Sequence, residues 1–380
     1  MKKRLKHYIP LVIVAALLLL TFTMCARRPD EPYEPYEPEP EPPIEIYEPE
    51  PEPEPEPYEP EPYEPEPEPD PPHEGPFNPL SGLPVEEDIS MMRPMAIVVN
   101  NLRAAQPSLG VSRADIIYEV PVEGGITRLL AVFQDVSDVG PIGTVRSARP
   151  YHVDLAQAHD AVFIFGGGSP EAYRVLSNRN ITRLDGVNGR LTHIFYRCAT
   201  RRRTMGFEHS MLTSGELITQ WLPTYNNFRL EHNEGFEHPK TFCDDGAAID
   251  GFPAKNFTVR FSSGKTTTFA FNEENGLYYI MQHGGDYIDA NDGTHVSVAN
   301  VLVLQTAVSV IDNEGRLRIT LTGRGAGYFF SGGQYVPIEW SRANESAPFV
   351  YTLMDGTEIT FARGRTYVCI IPTRYSSVVN

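Results

Sequence analysis

The fold is read most directly from residues 161–171, Ala-Val-Phe-Ile-Phe-Gly-Gly-Gly-Ser-Pro-Glu. The first five residues are apolar and predict a short buried strand, and three glycines follow it at once. Ser169 is a favourable N-cap residue, Pro170 suits the first helical position, and Glu171 stabilises the positive end of a helix. The stretch therefore predicts a strand that turns directly into a helix, as in an α/β or α+β domain.

The residues before this stretch fit the same kind of domain. Apolar runs at residues 94–100, 115–120 and 127–134 predict three more strands, and Gly124-Gly125 marks a turn between the last two. Residues 151–159 have helical spacing, with apolar side chains recurring on one face. Residues 76–235 are thus predicted to form a mixed α/β N-terminal domain.

The remainder of the chain has a different periodicity. Apolar and polar residues alternate, and turn signals such as Asn275-Gly276 and Asp355-Gly356 separate the alternating runs. The runs lie at residues 257–261, 267–271, 278–281, 296–303, 316–321, 357–361 and 367–371. We expect a β-rich C-terminal domain over residues 236–380, built as a sandwich or barrel, which makes the chain α+β. The glycines within residues 323–327 are interpreted as a bulge or tight bend.

The first 25 residues resemble an export signal. Lys2, Lys3, Arg4 and Lys6 precede an apolar run at residues 9–20, and Cys25 stands where a lipoprotein would carry its lipid. The alternative is an uncleaved single anchor helix over residues 8–24, which is close to the shortest length that spans a bilayer. Either reading predicts a membrane-tethered protein on the extracytoplasmic face, because the positive charges precede the apolar run.

Residues 26–75 are predicted to be a disordered, proline-rich stalk of low complexity. Residues 30–74 contain 19 of the 50 acidic residues and no Lys or Arg, and 19 of the 35 prolines lie within residues 29–72. Frequent proline prevents helix and sheet pairing, while repulsion between carboxylates extends the chain. At about 3.1 Å per residue, such a segment reaches roughly 140 Å.

The folded part carries little net charge and few cysteines. Residues 75–380 have a formal charge of −5, which excludes a basic nucleic-acid-binding domain. Cys198, Cys243 and Cys369 are too far apart in sequence to suggest a metal site, so no metal or cofactor is predicted. One disulfide with a free thiol and three buried thiols fit the sequence equally well.

A candidate ligand site combines the glycine turn with nearby arginines. Arginine can grip a carboxylate or phosphate with two hydrogen bonds, and a helix start can hold an anion. The predicted ligand-binding set is Arg128, Arg146, Ser147, Arg149, Gly167, Gly168, Ser169, Glu119 and Asp154. In the structural alternative, the arginines form salt bridges to Glu119, Asp154 or Asp160, and the glycines make only a tight turn. Arg197 and residues 201–203 are interpreted as a solvated basic loop.

Catalysis is the alternative to ligand binding. Glu119 or Asp154 would act as acid or base, with His152, His159 or His209 as the partner, in a cell-wall-modifying enzyme. The chain has no G-x-S-x-G, S-x-x-K or H-E-x-x-H signature, so the sequence favours a binding protein over an enzyme.

Several motifs in order carry a family resemblance. They are Asn-Pro-Leu-Ser-Gly-Leu-Pro at 78–84, Ala-Asp-Ile-Ile-Tyr-Glu at 114–119, Glu-Gly-Gly-Ile-Thr-Arg at 123–128, Arg-Ser-Ala-Arg-Pro at 146–150 and Gly-Gly-Ser-Pro-Glu-Ala at 167–172. The chain resembles the YerB-like lipoproteins, exported bacterial proteins defined by a domain of unknown function. The resemblance implies an N-terminal and a C-terminal part, an envelope location and no assigned reaction. We therefore expect an envelope binding or accessory protein that recognises an anionic ligand, a cell-wall polymer or an envelope protein, in an oligomeric state that the sequence leaves open.

Overall fold

A computed structural model of the chain describes residues 75–189, 193–226, 228–243, 249–375 and 377–379. The predicted signal segment, Cys25 and the predicted stalk up to Glu74 lie outside these residues. Among the described residues, no helix has both the length and the apolar character needed to cross a bilayer.

The N-terminal half contains eight strands and four helices among the described residues. The strands are β1 Met95–Asn100, β2 Ile116–Pro121, β3 Thr127–Phe133, β4 Pro141–Gly143, β5 Val162–Phe165, β6 Arg183–Asp185, β7 Tyr196–Arg197 and β8 Met211–Ser214. The helices are α1 Pro150–Gln157, α2 Pro170–Asn178, α3 Ala199–Thr204 and α4 Gly215–Trp221. Short 3-10 turns lie at Arg103–Ala105, Val111–Arg113, Glu123–Gly125, Phe207–His209 and Leu222–Thr224.

The C-terminal half is built from strands. They are β9 Phe242–Cys243, β10 Phe252–Pro253, β11 Asn256–Arg260, β12 Thr266–Asn272, β13 Leu277–Gln282, β14 Gly285–Asp286, β15 Ser297–Val298, β16 Asn300–Thr306, β17 Val308–Val310, β18 Leu317–Ile319, β19 Gly323–Ser331, β20 Gln334–Arg342, β21 Val350–Leu353, β22 Phe361–Ala362, β23 Thr366–Pro372 and β24 Ser377–Val379. The predicted fold class, a mixed α/β part followed by a β-rich part, is therefore confirmed.

A single sheet of eleven strands runs through both halves. Its order is β10-β20-β19-β16-β23-β2-β3-β1-β5-β6, and β21 also pairs with β20. β23 pairs in parallel with β2 on one side and with β16 on the other, so strands from the two predicted domains lie side by side. The boundary between residues 235 and 236 stays a prediction, but the two regions that it separates share one sheet.

Both faces of this sheet are covered, which explains why its central strands are apolar at nearly every position. On one face, the helices α1 and α2 bury side chains such as Leu155 and Leu176. On the other face lies a second sheet, β14-β13-β12-β11-β24 with β15 paired to β13. The Phe257 ring of that sheet stacks on Phe330 with 3.8 Å between ring centroids, and Phe269 contacts Tyr367 edge-on. The β-rich half is thus sandwich-like.

The prediction of a bulge or tight bend at residues 323–327 was wrong. These residues begin the nine-residue strand β19, which pairs along its whole length with β20. Gly325 permits this because a Cβ there would lie 2.6 Å from the Trp340 indole nitrogen. The glycines therefore make room for a buried tryptophan within a regular hairpin, and they do not end a strand.

Cys198 and Cys369 are free thiols in the described part of the chain, and the Cys243 thiol donates to the Phe361 carbonyl over 3.3 Å. Only Cys369 is fully buried, and the two others are partly exposed. With Cys198 and Cys369 unpaired, no disulfide joins two of these three cysteines, and because only Cys369 is buried, the structure also differs from the alternative of three buried thiols.

Candidate functional site

Backbone hydrogen bonds bring the two sequence motifs of the candidate site together. The segment that contains Arg146, Ser147 and Ala148 runs beside the glycine turn: Gly166 N–H donates to the Arg146 carbonyl over 2.9 Å, and Ala148 N–H donates to the Gly167 carbonyl over 2.8 Å. The Ser147 hydroxyl adds a bond to the Gly166 carbonyl of 3.1 Å. These residues are about 20 positions apart in sequence, and the sheet makes them neighbours.

The glycine turn already holds an internal anion. The Asp185 carboxylate accepts the backbone N–H groups of Gly167 and Val187, each over 2.9 Å. Its second oxygen accepts the Tyr173 hydroxyl over 2.7 Å. The Ser169 hydroxyl caps α2 by accepting the Ala172 N–H over 3.2 Å, which confirms the predicted N-cap. The turn therefore serves the fold, and Asp185 occupies the donors that an outside anion would need.

Arg149 forms an internal ion pair with Glu123. Its Nε and Nη2 atoms donate to the two oxygens of Glu123 over 2.5 and 2.9 Å, and both side chains are mostly buried. Burial alone would raise the pKa of Glu123, but the hydrogen bond and charge of Arg149 hold it below its usual value. Neither Glu119, Asp154 nor Asp160 takes the role of partner here.

Arg128 is a buried cation that forms no ion pair with a carboxylate among the described residues. Its side chain leaves β3 and donates through Nη1 to the Ser147 carbonyl over 2.5 Å, and the residue is only 8% exposed. Burial, together with the nearby charges of Arg149 and Arg146, lowers its pKa to about 10. The site thus has a surplus of positive charge beneath its surface.

Arg146 reaches from this buried cluster to solvent. It donates to the Glu208 carbonyl over 2.9 Å, and its ion pair with the Glu208 carboxylate is long, at 3.5 Å. The Glu208 side chain is 75% exposed, so water weakens this pair. The Arg146 Nε atom is buried and has no hydrogen-bond partner in the described structure. Arg146 therefore keeps hydrogen-bonding capacity.

A cavity of about 220 Å³ opens beside Arg146 and is called the Arg146 cavity below. It is lined by Val145, Arg146, Ser147, Gly166, Val187, Arg197, Phe207, Glu208 and Met211. Arg197 places its guanidinium 4.0 Å from the Phe207 ring centroid and donates to the Phe207 carbonyl over 2.9 Å. Burial and the charges of Arg202 and Arg146 lower its pKa. Arginines from two distant segments therefore face one small cavity.

His209 stands at the edge of this group. Its Nδ1 lies 2.9 Å from the Asn100 side-chain nitrogen. Burial and the charge of Arg146 lower its pKa, against a smaller opposing effect of Glu208. His209 is therefore neutral near pH 7, and Asn100 donates the hydrogen bond.

The remaining predicted site residues lie elsewhere. Glu119 is fully buried and pairs with Lys265 at 3.0 Å, and Asp154 pairs with Arg179 at 2.6 Å. In the described structure neither carboxylate hydrogen-bonds to a histidine. The described residues also contain no group of three or more His, Cys, Asp or Glu side chains placed to hold a metal ion.

Sequence reasoning missed four contributors, namely Asp185, Arg197, Phe207 and Glu208. Arg197 was interpreted as part of a solvated loop, but it lies on β7, which pairs with β8 beside the cavity. The available signal was an aromatic residue, Phe207, within a run rich in arginine. Such a run cannot show which arginine turns toward the site, because that depends on pairing between β7 and β8.

Single alanine variants of Arg149 and Arg146 should show which of the two side chains stabilises the fold. Arg149→Ala leaves the mostly buried Glu123 without its forked partner and should cost about 2 kcal/mol of folding free energy. Arg146→Ala removes a solvent-weakened ion pair and one hydrogen bond to the Glu208 carbonyl, and should cost about 1 kcal/mol or less. Thermal denaturation of both variants beside wild type measures the difference, and equal losses would contradict this assignment.

Comparison with known proteins places the chain among bacterial proteins of unassigned activity. Residues 80–226 match the family described as protein of unknown function (DUF3048), N-terminal domain, and residues 257–368 match its C-terminal domain. The chain is 29% identical over 302 residues to "Putative lipoprotein YerB" of Bacillus subtilis (strain 168), which covers 77% of this chain and 86% of that protein. The crystal structure of YerB from Bacillus subtilis superimposes with a TM-score of 0.69 at 27% identity, covering 80% of this chain and 99% of that one.

Proposed function

The chain belongs to the DUF3048 family, and from that premise we propose that it is an envelope lipoprotein whose Arg146 cavity binds an anionic group. The similarity to a protein named as a lipoprotein supports this location. The basic residues and the apolar run that precede Cys25 also support this location. In this proposal Cys25 carries the lipid, and residues 26–75 space the folded part from the membrane.

The surplus of positive charge around Arg146 is the observation that carries the binding proposal. Arg128 and Arg197 are both close enough to Arg146 for like-charge repulsion to lower their pKa values. Among the described residues that line the cavity, Glu208 is the only acidic one, and its side chain is mostly in solvent. An incoming carboxylate or phosphate would relieve this repulsion and satisfy the buried Nε of Arg146.

The size of the cavity limits the part of a ligand that it can hold. A volume of about 220 Å³ is smaller than the roughly 300–1,000 Å³ typical of sites for whole drug-sized ligands. The cavity therefore suits one charged group that projects from a larger molecule. Peptide stems and phosphate-containing polymers of the cell wall carry such groups.

Co-sedimentation with purified cell-wall sacculi tests this function. Protein spanning residues 26–380 should bind saturably, and the double variant Arg146→Ala/Arg197→Ala should bind at least about 100-fold more weakly, because each of the two lost charged hydrogen bonds contributes about 1.5–3 kcal/mol. Higher salt should weaken wild-type binding. Sacculi stripped of phosphodiester-linked polymers distinguish the ligands, since only carboxylate recognition survives that treatment.

The matched control is Arg174→Ala/Arg203→Ala. It removes the same charge from two exposed positions that do not line the cavity. Equal weakening by the two double variants would indicate nonspecific charge attraction and would count against the Arg146 cavity. An absence of wild-type binding would overturn wall recognition and would leave an envelope protein as the anionic partner to look for.

A further inference from the structure

A second cavity lies beside the large sheet. It is enclosed on the other side by the segments around residues 79–80, 239–240 and 348–349. It has a volume of about 30 Å³, enough for a water molecule or a molecule of similar size. Its wall is mainly apolar, with Leu80, Ile116, Leu302 and Val368 among its members. Two exposed residues, Pro239 and Pro348, stand at its surface end. The lining shares no residue with the Arg146 cavity.

Lys240 places its amine in this apolar setting. Nζ donates to the Leu80 carbonyl over 2.9 Å and to the Thr366 hydroxyl over 3.0 Å, both of them neutral acceptors. The aromatic rings of Phe361 and Phe242 have centroids 4.8 and 5.8 Å from Nζ. Among the described residues, no carboxylate lies within ion-pair distance of this amine.

The nearest acidic influence is Asp115, and its carboxylate is already engaged. One oxygen accepts the Asn78 side chain over 2.9 Å, and the other accepts the Gln134 N–H over 2.8 Å. Burial therefore dominates at Lys240 and lowers its pKa to about 7, although the charge of Asp115 acts in the opposite direction. A pKa of about 7 means that a neutral, nucleophilic amine is present at neutral pH.

The other titratable groups that face the cavity do not protonate this amine near neutral pH. The Tyr118 hydroxyl and His159 Nε2 are hydrogen-bonded to each other at 2.8 Å. Burial lowers the pKa of His159 to about 3, and burial raises the pKa values of Tyr118 and Tyr351. All three groups are therefore neutral at pH 7.

We propose that Lys240 is a covalent capture site for a small aldehyde, which reacts within the cavity. The Lys240 nitrogen attacks the carbonyl carbon, and a proton moves from nitrogen to oxygen to give a carbinolamine. Loss of the oxygen as water then leaves a carbon–nitrogen double bond, so amine and aldehyde are exchanged for an imine and one water molecule. The step needs no oxidant or reductant. The size of the cavity restricts the reaction to the smallest aldehydes.

The folded part of the chain contains two other lysines, which act as internal controls. Residues 75–380 include only Lys240, Lys255 and Lys265. Lys255 is 64% exposed and pairs with Glu273, which makes it an ordinary surface lysine. Lys265 is buried and forms an ion pair with Glu119 at 3.0 Å. The three amines therefore report on three environments within one protein.

Reductive methylation of the full-length wild-type protein tests the proposal without a variant. Formaldehyde is the probe, cyanoborohydride traps the imine, and peptide mass spectrometry reads the methylation rate of each lysine. At pH 7.4 Lys240 should react about tenfold faster than Lys255, because the lowered pKa of Lys240 leaves much of its amine neutral, which outweighs the lower intrinsic nucleophilicity of a less basic amine. The rate at Lys240 should level off above about pH 8. Lys265 should react only after denaturation.

Benzaldehyde provides the test of cavity size. It should modify Lys255 under the same conditions and leave Lys240 unmodified, because the ring exceeds the space beside the amine. The proposal is overturned if Lys240 reacts with formaldehyde no faster than Lys255 at pH 7.4. It is equally overturned if benzaldehyde modifies Lys240 as readily as formaldehyde does.

Discussion

Glu119→Gln should lower the free energy of unfolding by about 3–5 kcal/mol, since it leaves Lys265 as a buried charge without a counterion. Glu119 is fully buried on β2, and its two oxygens accept five hydrogen bonds. The donors are Asn101, Thr127, Lys265, Thr267 and Tyr367, at 2.7–3.0 Å. They come from both sheets, so one carboxylate joins the large sheet to the sheet packed on it.

The pH dependence should follow the same carboxylate. Burial alone would raise the pKa of Glu119, but the charge of Lys265 and the hydroxyl hydrogen bonds hold it below the model-peptide value near 4.3. A depressed folded pKa means that this stability is fully present above about pH 4.3 and is lost as the pH falls through the lower folded value. The Gln variant should therefore lose less stability on acidification than wild type.

Urea denaturation at neutral pH measures the effect of Glu119→Gln. The matched control is Glu339→Gln, because Glu339 forms an exposed pair with Arg324 and should change stability by about 0.5 kcal/mol or less. Adding Lys265→Met to Glu119→Gln removes the buried ammonium that has no counterion, and it should recover part of the lost unfolding free energy. A Glu119→Gln loss below about 1 kcal/mol would show that Lys265 finds another partner or water.

Gly215→Ala should destabilise the protein by about 3 kcal/mol through a clash with backbone atoms. A Cβ at this position, the first residue of α4, would lie 1.7 Å from the Val136 carbonyl oxygen and 2.4 Å from that of Val139. Gly215 N–H also donates to the Val139 carbonyl over 2.8 Å. Since β4 and β8 pair immediately beside this contact, the chain cannot move apart without breaking that ladder.

Gly264→Ala is the control for Gly215→Ala. It adds the same methyl group at a position where no heavy atom lies within 4 Å, so the change in unfolding free energy should stay within about 1 kcal/mol. Chemical denaturation of both variants gives the comparison. Similar small effects at both positions would mean that the contact at residues 136–139 is more adaptable than its geometry indicates.

Most local structure was predictable from the sequence because it depends on residues close together in the chain. The apolar run at residues 161–165 forms β5, and Ser169 with Pro170 begins α2 as expected. Residues 296–303 were predicted as one strand, whereas the structure has β15 and β16 separated at Ala299. Alternation shows which residues face a core, but it does not show where hydrogen bonding passes from one partner strand to another.

The candidate site was predictable only in part, for the same reason. Arg128, Arg146 and Arg149, which the sequence analysis grouped, lie close together, since two of them share a motif and Arg128 donates to the Ser147 carbonyl between them. The sequence could not distinguish Arg149, which forms an ion pair with Glu123, from Arg146, whose Nε has no hydrogen-bond partner in the described structure. Two arginines of one motif cannot be distinguished in the sequence. They differ in their free hydrogen-bonding capacity only after the fold places a carboxylate beside one of them.

The sequence by itself determined the family, the order of most strands and helices, the acidic proline-rich segment and the lipoprotein-like start of the chain. These features are written in motifs, composition and short-range periodicity. Only the tertiary structure decided that β2 and β23, about 250 residues apart, are neighbours in one sheet. Only the tertiary structure placed Glu119 beside Lys265. It also placed Lys240, elsewhere in the fold, on the lining of an apolar cavity. Burial and charge pairing depend on contacts between distant segments, and such contacts leave no local pattern to read.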